Sequence, residues 1–245
     1  MRKLILPLLF MLLSSLGFAQ STTRITKDSL PFREKYDVLK SNHQIKQGKY
    51  MLSDLKSGKI LTTGSYKNNK KDGQWHQYNS AGNVIVEGKY KDGQKVGVWN
   101  YYGDLWELIN KYDYTTHQLL FHKGTHQDSV STYRVIKGND TVDIKLQRPP
   151  IYLGGNDMML RTLMYDLHYP PQALSKNIYG RVVIGFTIDE NGHARDYRVI
   201  HGLGYGLDEE ALRVIKTIPD DWVPGILDGK PVAVAIQLPI GFKLQ

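Results

Sequence analysis

Glycine and aromatic residues recur at a fixed spacing of 24 residues in the first half of the chain. A fixed period of this length is typical of repeat architectures, in which every unit is one small structural element. The repeat therefore predicts an array of similar units that stack side by side. The matched pairs are Gly64/Gly88, Tyr66/Tyr90, Gly73/Gly97, Trp75/Trp99 and Tyr78/Tyr102.

Each unit has the alternating pattern of a β-hairpin. Aromatic or apolar residues alternate with polar ones, and turn signals such as Asp72-Gly73 and Asp92-Gly93 separate the runs. Because a single hairpin cannot bury one face by itself, successive hairpins are expected to stack their aromatic sides. We expect this mainly β module at residues 46–125, preceded by a lead-in at residues 20–45.

These units resemble MORN-type repeats, whose mark is Gly-x-Tyr followed by Gly-x-Trp-x-x-Tyr. The resemblance covers residues 48–122, with two good units and two degenerate ones. It implies contact with a membrane or a protein but no single function. The alternative is that the repeat aromatics are only the stacked core of the module. The candidate residues are Tyr66, Trp75, Tyr78, Tyr90, Trp99 and Tyr102.

The segment 1–19 has the composition of a secretory signal peptide. Arg2 and Lys3 precede an apolar run from Leu4 to Phe18, and Gly17 and Ala19 supply small residues before the expected cleavage point. Crossing the hydrocarbon of a bilayer needs about 20 apolar residues. We therefore expect cleavage after Ala19 and export to the periplasm. The alternative is an inner-membrane anchor, if this segment is retained.

The chain contains no cysteine, which excludes disulfides, thiolate metal sites and a cysteine nucleophile. Its net charge is +8, and the basic residues lie mainly before residue 150. Residues 4–149 carry 21 Lys and Arg against 13 Asp and Glu, whereas residues 150–245 carry 9 against 11. A basic module favours acidic partners such as anionic lipid headgroups. The alternative is a solvated lysine surface that keeps the module soluble.

Residues 126–149 are expected to connect two modules through a hairpin around Lys137-Gly-Asn-Asp-Thr141, and Pro149 and Pro150 then mark the boundary. Residues 150–245 contain helical periodicity near 156–167, a short helical turn near 172–176, two strands around the turn at 189–192, a helix from Leu207, and a final strand. This order predicts an α+β domain. We expect a three-stranded antiparallel sheet of order 2-1-3, with helices on one face and the final strand at an edge.

This segment is similar to the C-terminal domain of the TonB energy transducers. The resemblance implies a periplasmic domain that recognises the TonB box, a short N-terminal segment of outer-membrane receptors. In the family that segment pairs as an extra strand with the last strand of the domain. The motifs that carry the resemblance are Tyr169-Pro170 with Ala173, Gly180-Arg-Val-Val-Ile-Gly-Phe186, Ile188-Asp-Glu-Asn-Gly192, Leu207-Asp-Glu-Glu-Ala211, Trp222-Val-Pro-Gly225, and Gly229-Lys-Pro-Val232 through Leu238-Pro-Ile-Gly-Phe242.

Carried over to this sequence, the resemblance predicts a peptide-binding edge on the final strand. An unpaired edge presents N–H and C=O groups that a guest strand can satisfy. Asp166 and Tyr169 are possible flanking contacts, and Pro239, which has no N–H, is expected to end or bulge the ladder. The alternative is a covered edge that binds nothing. The predicted edge residues are Val232, Ala233, Val234, Ala235, Ile236, Gln237 and Leu238.

Three features depart from an energy transducer. The family carries a histidine in a retained membrane helix, whereas residues 4–18 contain only Ser14 and Ser15 as polar groups. It also has a long proline-rich spacer, but residues 20–148 contain only Pro31. Asp166 stands where well-known members have glutamine. The alternative function is therefore an envelope scaffold that contacts membrane or protein partners through its basic repeats.

No residue pattern indicates an enzyme. The run Gly202-x-Gly-x-Gly206 lacks the spacing of a dinucleotide-binding loop. His117, His122 and His126 lack a carboxylate at metal-ligand spacing. We expect a non-enzymatic protein without a metal, a cofactor, a small-molecule substrate or a nucleic-acid partner. Its expected partner is an outer-membrane TonB-dependent receptor or another envelope protein.

Overall fold

The computed structural model describes residues 20–103, 105–138 and 140–244. The predicted signal peptide, residues 1–19, lies outside this range. Across these three segments, no helix combines the length and apolar character needed to cross a membrane.

The first half of the molecule is one long antiparallel meander. Its ten strands follow one another across the sheet in chain order, except that the two-residue β5 pairs only with β4. The predicted lead-in contributes β1, β2 and the start of β3, so the sheet begins well before residue 46. The strands are β1 (Thr22–Ser29), β2 (Phe32–Leu39), β3 (Asn42–Asp54), β4 (Ile60–Lys67), β5 (Lys70–Lys71), β6 (Gly73–Tyr78), β7 (Val84–Lys91), β8 (Gln94–Tyr102), β9 (Leu108–Asp113) and β10 (Gln118–His122).

Direct contact between glycine and tryptophan accounts for the repeat. Trp75 lies opposite Gly88 in the β6–β7 ladder, and its ring also fills the space above Gly64 on β4. The Trp99 ring covers Gly88 in the same way. A Cβ atom at either glycine would overlap the indole, so each unit needs a glycine at the position that its own tryptophan covers.

The second half contains helices α1 to α4 and the remaining strands. Val182, Ile184 and Phe186 on β14 are buried under the helices, in a core that Leu207 and Val214 of α4 complete. The elements are α1 (His126–Val130), β11 (Tyr133–Lys137), β12 (Asp140–Ile144), β13 (Ile151–Tyr152), α2 (Gly155–Asp166), α3 (Pro171–Ser175), β14 (Gly180–Ile188), β15 (Ala194–His201), α4 (Leu207–Ile215), β16 (Trp222–Val223), β17 (Gly225–Leu227), β18 (Lys230–Val232) and β19 (Val234–Phe242).

The sheet of the second half has five strands, not the three that were predicted. Its order is β12-β11-β19-β14-β15. The arrangement of β15, β14 and β19 follows the expected 2-1-3 order, but the hairpin of β11 and β12 adds two strands beside β19. Sequence reasoning treated this hairpin as a connection. Val135, which is 1% exposed, joins it to Val234 and Leu146 in a small apolar cluster.

Pro239 does not interrupt the pairing of β19 with β14. The prediction that it ends or bulges a ladder concerned a partner strand on the outer flank. β14 pairs with β19 over nine consecutive residues without a register shift, and Val183 lies opposite Pro239. The strand continues because the backbone nitrogen of a strand residue points to one neighbour only, and that of Pro239 points away from β14.

The two halves share a core. Ile151, Leu153 and Val223 of the second half pack in one buried cluster with Trp75 and Trp99 of the meander. The side-chain amide of Asn110 on β9 donates to the Leu153 carbonyl at 2.8 Å. Because these apolar groups are buried only when the two halves pack together, their burial stabilises the packed arrangement of the halves.

Candidate peptide-binding edge

The outer flank of β19, the side that faces away from β14, has a covered part and a free part. Arg134 and Val135 of β11 pair with Ala235 and Val234, and the Ile136 N–H donates to the Ala233 carbonyl at 3.0 Å. From Ile236 to Phe242, none of the described strands pairs with this flank.

The predicted edge residues are therefore divided among three environments. Val232 ends β18, which pairs with β17. Ala233, Val234 and Ala235 face the β11 hairpin, which sequence reasoning did not place there. Ile236, Gln237 and Leu238 begin the free part, which continues through Ile240 and Gly241, beyond the predicted range.

The direction of the backbone groups along the free part follows from alternation. In an antiparallel ladder, every second residue turns both its N–H and its C=O to the same neighbour. Because Ala233 faces β11, the residues that turn their backbone groups to the outer flank are Ala235, Gln237, Pro239 and Gly241. The free part thus offers the N–H and C=O of Gln237 and Gly241 and the C=O of Pro239.

The other two edges of this sheet are less suited to strand addition. β15 has two register shifts against β14, and Asp196 within it has a positive φ of 59°. β12 exposes the acidic residues Asp140 and Asp143. Irregular geometry and charge are ways in which natural edges avoid pairing. The free part of β19, with its continuous register, is the most regular edge of the three.

The two predicted flanking residues lie in different places. Tyr169 packs its ring against Phe242, with the ring centroids 5.9 Å apart, and its hydroxyl donates to the Ile178 carbonyl. It therefore supports the end of β19 from the core side. Asp166 ends α2 and lines a groove of about 850 Å³ between α2 and the meander, together with Phe32 and Tyr165.

Most of the repeat aromatics form a continuous ladder on one face of the meander. Neighbouring ring centroids are 5.0–5.8 Å apart from Tyr50 through Trp75 to Trp99 and Tyr114, mostly edge to face, a geometry that aromatic pairs prefer. Tyr78 and Tyr102 lie outside this ladder, and their hydroxyls contact Thr63 and Glu87 instead. Tyr102 is only half-buried, whereas its neighbour Tyr101 is 1% exposed.

A charged pair that sequence reasoning missed connects this ladder to the second half. The Lys95 Nζ lies 4.7 Å from the centroid of the Trp99 ring and 2.5 Å from Asp221 Oδ2. The Tyr114 hydroxyl donates to the other oxygen of Asp221 at 2.8 Å. Burial lowers the pKa of Lys95, and the neighbouring Asp221 carboxylate opposes that shift. The sequence signal was available, since Lys95 repeats Lys71 at the offset of the repeat.

The three histidines do not form a metal site. His122 Nδ1 lies 2.7 Å from Asn110 Oδ1, and its Nε2 lies 3.6 Å from Asp128 Oδ2. Within residues 20–103, 105–138 and 140–244, no group of three or more histidine, aspartate or glutamate side chains is arranged to hold a metal ion.

The segment that carries the free edge is similar to a known domain. Residues 165–244 match the family described as the Gram-negative bacterial TonB protein C-terminal. This range starts within α2 and ends after β19, so the TonB-like domain includes the free edge, while the β11 hairpin and the meander lie outside the match.

One curated protein that the chain resembles is itself a TonB protein. Over 80 residues the chain is 38% identical to Protein TonB of Vibrio cholerae serotype O1. The match covers 31% of this chain and 31% of that protein. The chain thus matches about a third of the length of this curated relative.

Similar solved structures include the NMR solution structure of the Helicobacter pylori TonB C-terminal domain. It is 23% identical over 36% of this chain and 78% of that chain, with a TM-score of 0.27. A crystal structure of a mutant of S. aureus TarM is 13% identical over 41% of this chain and 21% of that chain, with a TM-score of 0.25.

Proposed function

We propose that the TonB-like domain binds an extended segment of an outer-membrane receptor by strand addition on the free part of β19. The protein would then act as a non-enzymatic binding module of the cell envelope, linked to energy-dependent transport. The observation that supports this most directly is the free, regular flank from Ile236 to Phe242 within the segment that matches the TonB family.

The β11 hairpin narrows the proposed site. A guest strand on this flank would meet β11 at Tyr133. It can therefore pair with β19 only from Ile236 onward, and not from Val232. Gln237 and Gly241 supply two complete pairs of backbone groups, and Pro239 supplies an acceptor between them. Affinity then comes mainly from main-chain hydrogen bonds, each with a net contribution of about 1 kcal/mol.

A proline substitution tests the site. Gln237→Pro removes one outward N–H without removing a hydrogen bond to β14, so it should weaken binding of a receptor N-terminal peptide about fivefold. The measurement is calorimetric titration of the full chain with short synthetic receptor peptides.

Asp143→Pro is the matched control. Ile136 turns its backbone groups to β19, so its neighbour Val135 turns them to β12, where Val142 is its partner. The next residue, Asp143, therefore points its N–H to the outer edge of β12, and this variant should bind like the unchanged protein. Absence of heat with every peptide, or equal affinity of the Gln237→Pro variant, would contradict the proposal.

The second candidate function is an envelope scaffold that works through the basic repeats, the role that the MORN resemblance suggests. It is favoured by the lysines that lie over the aromatic ladder, such as Lys46, whose Nζ is 5.1 Å from the centroid of the Tyr66 ring. Cosedimentation with anionic vesicles should then weaken steeply as salt is added, because screening reduces contacts between charges. Binding that is independent of salt argues against this function.

A further inference from the structure

The repeat places two equivalent lysine sites on the aromatic ladder. Lys71 and Lys95 are related by the offset of the repeat, and so are the residues around them. The Lys71 Nζ lies 4.6 Å from the centroid of the Trp75 ring and 5.1 Å from that of Tyr90. The Lys95 Nζ lies 4.7 Å from Trp99 and 4.8 Å from Tyr114. The two sites therefore have the same design.

The Lys95 site shows which chemical group this arrangement of lysine, tryptophan and tyrosine binds. It holds the carboxylate of Asp221, which comes from the other half of the molecule. One oxygen contacts the ammonium group at 2.5 Å, and the other accepts a hydrogen bond from the Tyr114 hydroxyl at 2.8 Å. Two donors, one charged and one phenolic, thus bind the two oxygens of a single acidic side chain.

The Lys71 site has both donors but no acid. No carboxylate in the described part of the chain lies within ion-pair distance of its ammonium group, and its pKa is lowered by burial and then by the charge of Lys95. The Tyr90 hydroxyl, the counterpart of the Tyr114 hydroxyl, has no hydrogen-bond partner among the described residues. A partly buried cation without a counter-ion is costly, so an anion is favoured there.

The structure also leaves room at this site. A cavity of about 180 Å³ is lined by Lys71, Trp75, Tyr90 and Gln77, and one water molecule takes up roughly 30 Å³ of liquid volume. Gln77 is the repeat counterpart of Tyr101, whose hydroxyl lies beside Lys95. The cavity shares Gln77 with the groove of about 850 Å³ beside α2, so the two spaces adjoin each other.

We propose that Lys71, Trp75 and Tyr90 form a binding site for a carboxylate carried by an aspartate or glutamate side chain of a partner polypeptide. The ammonium of Lys71 and the hydroxyl of Tyr90 bind the two oxygens, as Lys95 and Tyr114 bind those of Asp221. This site is independent of the β19 edge, and its failure leaves the strand-addition proposal untouched.

The test uses the full chain and two short probes that differ in one group. N-acetyl-Gly-Gly-Asp-Gly-Gly-amide carries the carboxylate, and its Asn counterpart has a similar shape without the charge. Titration is followed by NMR on the indole N–H of Trp75 and on labelled lysine side chains at low salt. We expect saturable shifts with the Asp probe and at least tenfold weaker binding of the Asn probe, since hydrogen bonds to charged groups are the stronger kind.

Three variants identify the residues. Lys71→Gln should weaken the Asp probe about tenfold, whereas Lys70→Gln, at the exposed neighbouring lysine, should leave it unchanged. Tyr90→Phe removes only a hydroxyl that makes no described contact, so this variant should fold normally and still bind the probe several-fold more weakly. Equal binding of the two probes, or Lys71→Gln and Tyr90→Phe variants that both bind like the unchanged protein, would overturn the proposal.

Discussion

At the scale of single residues, the repeat is explained by the close approach of an indole to a bare backbone. Trp75 and Trp99 each lie over a glycine of the preceding paired strand and donate their indole N–H to a carbonyl of that strand, Ser65 and Lys89 respectively. These two acceptors are also related by the offset of the repeat. Glycine is required because any larger residue would displace the ring that forms the core of the module.

Replacement of this glycine should be costly. In Gly88→Ala, the new methyl group overlaps the Trp99 ring, so we expect a loss of about 2–3 kcal/mol in the free energy of unfolding, as for overpacked cores. Gly124→Ala is the control, because a methyl group there has no neighbour within 4 Å. Denaturant titration of both variants measures the difference. Similar stabilities would mean that the repeat glycines serve another purpose.

At the scale of secondary-structure elements, the β11 hairpin decides how much of β19 is available to a partner. It covers the flank at Val234 and Ala235 and stops at Tyr133, where the free part begins. The hairpin is held by Val135, which contacts Val234 in an apolar cluster apart from the main core. The availability of the edge thus depends on an element outside the TonB-like segment.

Truncation of the Val135 side chain tests how strongly the β11 hairpin is held against β19. Val135→Ala removes buried methyl groups and should lower the free energy of unfolding by about 2 kcal/mol. Val142→Ala is the matched control, because Val142 is the direct partner of Val135 on β12 but is 43% exposed. It should change stability by less than about 0.5 kcal/mol. If hydrogen exchange at Ala235 is equally fast in both variants, the hairpin is not anchored by Val135.

At the scale of the whole molecule, the two halves are joined by a shared apolar core and by one charged contact. The pair of Lys95 and Asp221 is mostly buried, and the hydroxyls of Tyr101 and Tyr114 lie 2.6 Å apart beside it. Burial raises the pKa of both tyrosines, so they stay protonated at neutral pH and remain able to donate. The orientation of the halves is therefore specified by polar geometry as well as by apolar area.

Loss of the Asp221 charge should weaken this joint. Asp221→Asn leaves the Lys95 ammonium without its counter-ion, and we expect the protein to lose about 2–4 kcal/mol of stability. Asp220→Asn is the control, since Asp220 is adjacent but exposed and its ion pair is with His193. Thermal unfolding followed by circular dichroism compares them. Equal unfolding temperatures would show that the Lys95–Asp221 contact contributes little.

The amino-acid sequence by itself determined the local elements. Hydrophobic alternation predicted β14 and β15 close to their observed bounds, because side chains on a half-buried strand must alternate between core and solvent. The period of the glycine and aromatic residues indicated a stacked β module, and the order of motifs indicated the TonB-like domain that the family comparison supports.

Only the tertiary structure decided which elements meet. Periodicity reports one element at a time, so it could not show that the β11 hairpin joins the sheet at β19, or that Pro239 turns its missing N–H to the outside. Nor could it bring Asp221 to Lys95, which lie 126 residues apart in the chain. Such pairings depend on the free energy gained when both partners are buried together, and this gain arises only in the folded protein.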